Sequence, residues 1–531
     1  MQNATGGEPD VSVVVAVYNT MPYLTECLTS LAEQSIGHER LEVVAVDDGS
    51  TDGSGKELDR FAELYPGLFT VVHQENSGGP AAPSNRALDL ARGRYVFFVG
   101  ADDYLGVEAL ERLVTAADRL GSDVVLGKMV GVNGRDVPGA VFERDSDDVT
   151  FLNSALAWSI SNTKLFRRGH IEELGLRFDE DLPVLSDEPF TMEACFRARR
   201  VSVRADYDYY FAVRRDDESN VTLSFRREDW LRATARAMAV TARHTEPGAS
   251  RDWIHRRHCT SEMARILAPG LLDLPLDTQR RLCDGLGELV REHCNESVMA
   301  RLSRVDRLCM RLAGRGHTDA VLDVLRAGAE PPLRLDRKRA YAAYPSFRDP
   351  ELAVPDAWFD VTKEVAEPWA EQTFGPAQAC WSDDGEQLVI RVRGSLPELA
   401  RAGAETVRVR AESRRGGERQ PRTCHVSLTA VEDGTDLQLT FKVGELFPAK
   451  APSWGSCTFG LKVTGLGVTH EVPLTAELPA LRRWHRLRPH RVTVAAPAAE
   501  GKYAGMLTLR VTRVPVRQLV RRCLGPLRRR T

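Results

Sequence analysis

Short apolar runs, each closed by a polar break, recur along the first 125 positions. Val11–Val17 is mostly β-branched and ends in Tyr18-Asn19. Residues 41–46 end in Asp47-Asp48-Gly49-Ser50-Thr51-Asp52, Phe69–His73 leads to Glu75-Asn76-Ser77-Gly78-Gly79-Pro80, and residues 95–99 end in Gly100-Ala101-Asp102-Asp103. Runs of this length and composition predict strands buried on both faces, and residues 124–126 predict a fifth. Leu24, Cys27, Leu28 and Leu31 fall at helical spacing, as do residues 56–64, 85–92 and 107–114. Such alternation predicts right-handed crossovers and a mostly parallel, Rossmann-like α/β sheet with helices on both faces. Every polar break then lies on the carboxyl edge, where open α/β sheets bind ligands.

The pattern changes twice further on. Residues 230–340 show helical spacing, with Leu282, Leu286, Leu289 and Val290 on one face and Leu302, Val305, Leu308, Cys309 and Leu312 on another. From Ala353 onward, strand-like runs (388–392, 407–409, 426–429, 437–443, 459–463) alternate with Gly, Pro, Asp and Ser turns. These predict an antiparallel β-sandwich of immunoglobulin-like size. The expected organisation is an α/β domain over 1–230, an α-helical linker over 231–345, a sandwich over 346–480, and a basic strand and tail over 481–531.

A chain of 531 residues exceeds one hydrophobic core, in agreement with several domains. Its 43% hydrophobic and 27% charged residues are ordinary for a soluble protein. The net charge of −4 conceals an asymmetry, because residues 480–531 hold fourteen Arg and Lys against one Glu. Interleaved Leu and Val suit that tail to an anionic membrane surface or a polyanion. No aromatic stacking pattern accompanies it, so nucleic acid is not expected. Neither a membrane-spanning run nor a secretory signal is apparent, and the ten cysteines are scattered without a CxxC pair. A cytoplasmic location, peripheral on the inner face of the plasma membrane, is expected, with neither a disulfide framework nor a zinc site.

The polar breaks carry the candidate chemistry. Asp48 can accept from a base or ribose, and glycines beside Asn76 let backbone amides approach a phosphate. Arg86 adds positive charge. Asp102 and Asp103 offer oxygen ligands to a hard divalent cation. Neither GxGxxG nor a P-loop is present. Asp187, with Glu188 beside it, opens a helix-like stretch where free amides fix a carboxylate in place.

The residues Val46-Asp47-Asp48-Gly49-Ser50-Thr51-Asp52, Asn76-Ser77-Gly78-Gly79-Pro80, Phe98-Val99-Gly100-Ala101-Asp102-Asp103 and Leu185-Ser186-Asp187-Glu188 together resemble the family 2 inverting glycosyltransferases of the GT-A fold. The loop from Gly78 to Arg86 is most similar to the wall teichoic acid poly(ribitol-phosphate) β-N-acetylglucosaminyltransferases. The resemblance implies transfer of a sugar, GlcNAc favoured, from a UDP-sugar to a hydroxyl of a polyol-phosphate polymer or related glycan. It implies donor contacts from Tyr18, Asp48, Asn76, Arg86 and Asp102, a Mn²⁺ or Mg²⁺ site at Asp102 and Asp103, and Asp187 as the catalytic base. A C-terminal module that assembles a homotrimer or holds polymer is also implied. Two departures stand out: Gly100 replaces the first acid of the usual D-x-D-D, and Ser84 stands where many relatives carry arginine. They motivate the alternative of a non-catalytic glycopolymer-binding protein with a degenerate transferase domain.

Overall fold

The four apolar runs become four of the seven strands of one sheet. β1 (Val11–Val17), β2 (Leu41–Asp47), β3 (Phe69–His73) and β4 (Tyr95–Gly100) pair in parallel in the order β3-β2-β1-β4. Alternate side chains of β1 enter two separate cores. Val13, Val15 and Val17 join Leu24, Leu28 and Leu31 of α1 (Leu24–Ala32), while Val14 joins Ala87 and Leu88 of α3 (Ala81–Leu90). Burying one such Val or Leu side chain contributes about 1.5–3 kcal/mol. α2 (Ser54–Leu64) connects β2 to β3. α3 starts four residues ahead of the expected 85, because Pro83 falls in the first turn, where its missing N–H costs nothing.

The computed structural model describes residues 8–215, 226–384, 386–413, 423–446, 455–475, 481–484, 490–495 and 506–513, in two units, Met1–Leu325 and Arg326–Thr531.

Beyond β4 the first unit leaves the simple repeat. β5 (Tyr104–Leu105), α4 (Ala109–Leu120), β6 (Val124–Gly127), β7 (Met129–Val132), β8 (Leu165–Arg167), α5 (Arg168–Leu174), α6 (Asp187–Arg197), β9 (Val201–Arg204) and β10 (Tyr210–Val213) follow. β8 lies between β4 and β6, antiparallel to both, with Phe97 opposite Leu165 and Tyr95 opposite Arg167. Three residues are too few to display a period, so the sequence pattern does not reveal it. Running backwards, β8 is entered at the edge where its neighbours are left, so the segment ending in Lys164 reaches the edge that carries Asp102 and Asp103. A second sheet, β5-β10-β7, stands beside that edge.

The helical region comprises α7 (Arg227–His244), α8 (Ala249–His258), a π-helical turn (Cys259–Met263), α9 (Ala264–Ile266), α10 (Leu276–His293), α11 (Glu296–Met299), α12 (Arg304–Gly314) and α13 (Thr318–Ala327). Leu282, Leu286, Leu289 and Val290 are all buried, and α10 packs on α12. α7 packs on α6.

The second unit opens with a hairpin of β11 (Leu333–Asp336) and β12 (Arg339–Ala342), followed by α14 (Thr362–Glu371). Two antiparallel sheets follow. One orders β13 (Gln378–Trp381), β14 (Gln387–Gly394), β17 (Gly434–Lys442) and β16 (His425–Val431). The other orders β15 (Val407–Ser413), β18 (Gly455–Gly465), β22 (Thr508–Arg513), β21 (His490–Ala495) and β20 (Leu481–Trp484), with β19 (Val468–Pro473) on β18. Leu437, Leu439 and Phe441 of one sheet and Phe459, Leu461 and Val463 of the other are buried, with the rings of Phe441 and Phe459 5.2 Å apart. The basic tail after Arg513 lies outside the described residues. Among the described residues no helix is long and apolar enough to cross a membrane.

Candidate active site

The turn after β4 is organised by Asp103. Its Oδ1 accepts the Val213 amide at 2.8 Å and its Oδ2 the Tyr210 hydroxyl at 2.5 Å. That hydroxyl accepts the Gly100 amide at 3.1 Å, so β10 clamps the turn from both ends. Asp102 Oδ2 accepts Arg215 Nε at 2.8 Å, and the same guanidinium reaches the Asn19 carbonyl at 3.5 Å, at the exit of β1. Burial and the neighbouring Asp102 charge push the Asp103 carboxyl up to about 7. Both carboxylates lean over Gly100, where a Cβ would stand 2.7 Å from Asp103 Oδ2 and 3.2 Å from Asp102 Oδ1. Glycine at 100 therefore makes room for the two acids that follow it. Two mutually repelling carboxylates, one of them hard to ionise, form a donor set that suits a hard divalent cation.

The breaks after β2 and β3 are joined to each other. Asp48 is buried, and its carboxylate accepts Gln74 Nε2 at 2.6 Å, the Ser77 amide at 3.1 Å and the Ser77 hydroxyl at 3.0 Å. Asn76 Nδ2 donates to the Asp48 carbonyl at 3.1 Å, and its Oδ1 accepts the Gly78 amide at 3.0 Å. Asp48 and Asn76 are thus adjacent, but the Ser77 and Gly78 amides, expected to face a phosphate, are engaged inside the loop. The loop's own side chains outcompete a distant ligand for them. Tyr18 stands at the same edge with 46% of its surface exposed. Arg86 is not drawn in. It projects from the exposed face of α3 and, among the described residues, forms no ion pair.

Asp187 is the first residue of α6, as its helix-start position implies. Its carboxylate accepts its own amide and that of Asn162, while burial and Glu188 push it up to about 6. Lys164, only 1% exposed, faces the same carboxylate and donates to the Ser161 carbonyl at 2.5 Å; burial pulls its ammonium down to about 8. Two contacts bring α6 to the sheet edge. Phe190 packs edge-on against Phe98 of β4 at 5.7 Å, four residues before Asp102, and Gly79 approaches the Pro183 backbone so closely that a Cβ would lie 2.9 Å from it. The buried Asn85 amide completes the link, donating to the Phe178 carbonyl at 3.0 Å and to Glu180 at 2.8 Å.

Sequence reasoning missed Tyr210, Lys164 and Asn85. Lys164 alone left a trace, a lysine set directly before Leu165-Phe166. Glu188, His258 and Glu262 bring three potential ligand atoms within 4.8 Å of one another. The Arg257 guanidinium already fills that space, 2.6 Å from Glu262 and 3.1 Å from Glu188. A metal there would have to displace a buried cation. Nearby, His255 Nδ1 lies 2.8 Å from the His293 carbonyl.

Residues 12–175 match the family model described as Glycosyl transferase family 2, and residues 227–325 match that of the Glycosyl transferase TarS linker domain. The chain carries a family 2 glycosyltransferase domain. That domain and its linker resemble curated relatives. One is the poly(ribitol-phosphate) beta-glucosyltransferase of Bacillus spizizenii, 39% identical over 39% of this chain and 33% of the relative. Another is the poly(ribitol-phosphate) beta-N-acetylglucosaminyltransferase TarS of Staphylococcus aureus, 34% identical over 55% of this chain and 51% of the relative. The chain thus spans a third to a half of these relatives' length. The crystal structure of S. aureus TarS 1–349 in complex with UDP-GlcNAc is similar with a TM-score of 0.55 and 29% identity, over 64% of this chain and 97% of that one. The longer S. aureus TarS structure shares the fold, with a TM-score of 0.56 over 96% of this chain and 86% of that one at 23% identity.

Proposed function

We propose that this chain is an inverting, metal-dependent glycosyltransferase that moves a sugar from a UDP-sugar to a hydroxyl of a poly(ribitol-phosphate)-type polymer. The observation that carries the reading is the arrival, at one sheet edge, of a carboxylate pair suited to a cation and of a separate, hard-to-ionise carboxylate at a helix start. GlcNAc is favoured because the likeness to the N-acetylglucosaminyl-transferring relative covers 55% of this chain, whereas that to the glucosyl-transferring one covers 39%.

Asp187 takes the proton of the acceptor hydroxyl as that oxygen attacks the anomeric carbon in line with the departing diphosphate. The new C–O bond forms as the bond to UDP breaks, and the configuration inverts. Asn162 and Lys164 keep the Asp187 carboxylate oriented and offset its charge. A Mn²⁺ or Mg²⁺ held by Asp102 and Asp103 would offset the charge developing on the leaving group. Tyr18 and Asn76 face the nucleoside, and Asp48 gives the loop beneath it its shape. Against the degenerate-domain alternative, the glycine that replaces the first acid leaves room for the two that remain.

UDP release with UDP-GlcNAc or UDP-Glc, Mn²⁺ and a ribitol-phosphate oligomer tests the reading. Asp187→Asn is expected to bind donor and lose transfer by at least about 10²-fold. Transfer at the parental rate refutes Asp187 as the base. The second unit is proposed to assemble a homotrimer or hold polymer. The tail is proposed to meet anionic lipid at the cytoplasmic membrane face.

A further inference from the structure

We infer that Glu188 and Arg257 are positioning residues for Asp187, a buried ion pair through which the helical region holds the start of α6 and supplies part of the charge around the base. Arg257 Nη2 donates to Glu188 Oε1 at 3.1 Å and Nη1 to Oε2 at 3.4 Å, a two-pronged grip. Nη1 also donates to Glu262 at 2.6 Å, in the π-helical turn that interrupts the helix after α8. Single π turns inside helices cluster at functional sites, and this one brings Glu262 within reach of the guanidinium. Glu188 is 4% exposed, Glu262 2% and His258 0%. Burial and Arg257 hold the His258 imidazole down to about 3, so it is neutral and two carboxylates share one cation.

Isolated buried pairs of this kind add little stability, and the placement is what distinguishes this one. Glu188 follows Asp187 directly, at a helix start where a small rotation re-aims the preceding side chain. The charged groups facing Asp187 are Glu188 on its own helix, Lys164 before β8 and Arg257 on α8. Glu188 opposes ionisation of Asp187, while Lys164 and Arg257 favour it. An interaction that only stabilised the fold would leave the protonation behaviour of Asp187 untouched.

The inference rests on the reading of Asp187 as base, and the experiment separates the two. kcat and KM are measured from pH 5 to 9 with UDP-GlcNAc, Mn²⁺ and a ribitol-phosphate oligomer for the full-length parent, Glu188→Gln, Arg257→Lys and Asp187→Asn. Glu188→Gln keeps one acceptor for Arg257 and removes a like charge, so the acid limb of kcat should move down by about 0.5–1 pH unit. Arg257→Lys keeps the charge but cannot grip bidentately. It should lower kcat about 10–100-fold with the UDP-sugar KM unchanged. An unmoved acid limb in Glu188→Gln, with melting and donor binding intact, overturns the inference. A parental kcat in Arg257→Lys does so too. Full transfer by Asp187→Asn overturns instead the assignment of the base.

Discussion

Replacing Asp103 by asparagine tests whether the turn after β4 is built for a cation at the expense of stability. The folded protein raises this carboxyl from an ordinary value near 3.8 to about 7. Each unit of displacement corresponds to about 1.4 kcal/mol, so ionised Asp103 costs on the order of 4 kcal/mol above pH 7 when no cation is present. The direction follows from linkage. Between pH 4 and 7 the folded state binds this proton and the unfolded state does not, so the contribution falls as pH rises through that window and is flat above it. The substituted amide keeps an acceptor for the Val213 N–H and strands the Tyr210 hydroxyl proton, at a cost of about 1–3 kcal/mol. In EDTA at pH 8 the variant should therefore be more stable than the parent by about 1–3 kcal/mol. At pH 5 the gain should vanish or reverse. Urea unfolding of the full chain at both pH values measures this. A variant equally destabilised at pH 5 and pH 8 refutes the reasoning. Mn²⁺ should raise the melting temperature of the parent and leave that of the variant unchanged.

Other substitutions probe neighbouring parts. Gly100→Ala places a methyl 2.7 Å from Asp103 Oδ2. The resulting shift of the carboxylate pair should weaken Mn²⁺ binding by calorimetry and lower stability by about 1–3 kcal/mol. Arg215→Met leaves Asp102 without this cation and unties the turn from the exit of β1. It should raise the donor KM and lower the melting temperature, both read in one titration series. Phe190→Ala opens the aromatic cluster with Phe98, Phe166 and Phe178. A loss of about 3–5 kcal/mol in denaturant unfolding is expected, with transfer falling as α6 loses its seat.

The candidate residues at the exits of β2, β3 and β4 were legible because they sit on long elements. β1 to β4 are buried on both faces and their polar exits are short, so Asp48, Asn76, Asp102 and Asp103 could be assigned to one edge from spacing alone. Arg86 illustrates the limit. Its separation from the loop fits a phosphate contact, but the helical rotation set by burying Ala87 and Leu88 turns it to solvent. The groups that reach this edge from elsewhere were less legible because tertiary packing assembles them. Lys164 precedes a three-residue strand, Tyr210 arrives on a separate small sheet, and Arg257 is set apart from the other arginines of α8 only by its pairing with Glu188. Of these, only Lys164 is marked locally, by its place directly before Leu165-Phe166.

β8 has a mechanical consequence. Hydrogen-bonded on both flanks and anchored by Phe166 in the core, it cannot slide by a single position without turning Phe166 toward the opposite face. A slip of two positions would carry Asn162 and Lys164 about 7 Å along the strand axis, out of reach of Asp187. The carboxylates after β4 and the groups around Asp187 are therefore gauged against each other by one ladder of backbone pairing, and insertions in the stretch before Ser161 should be absorbed without disturbing their alignment.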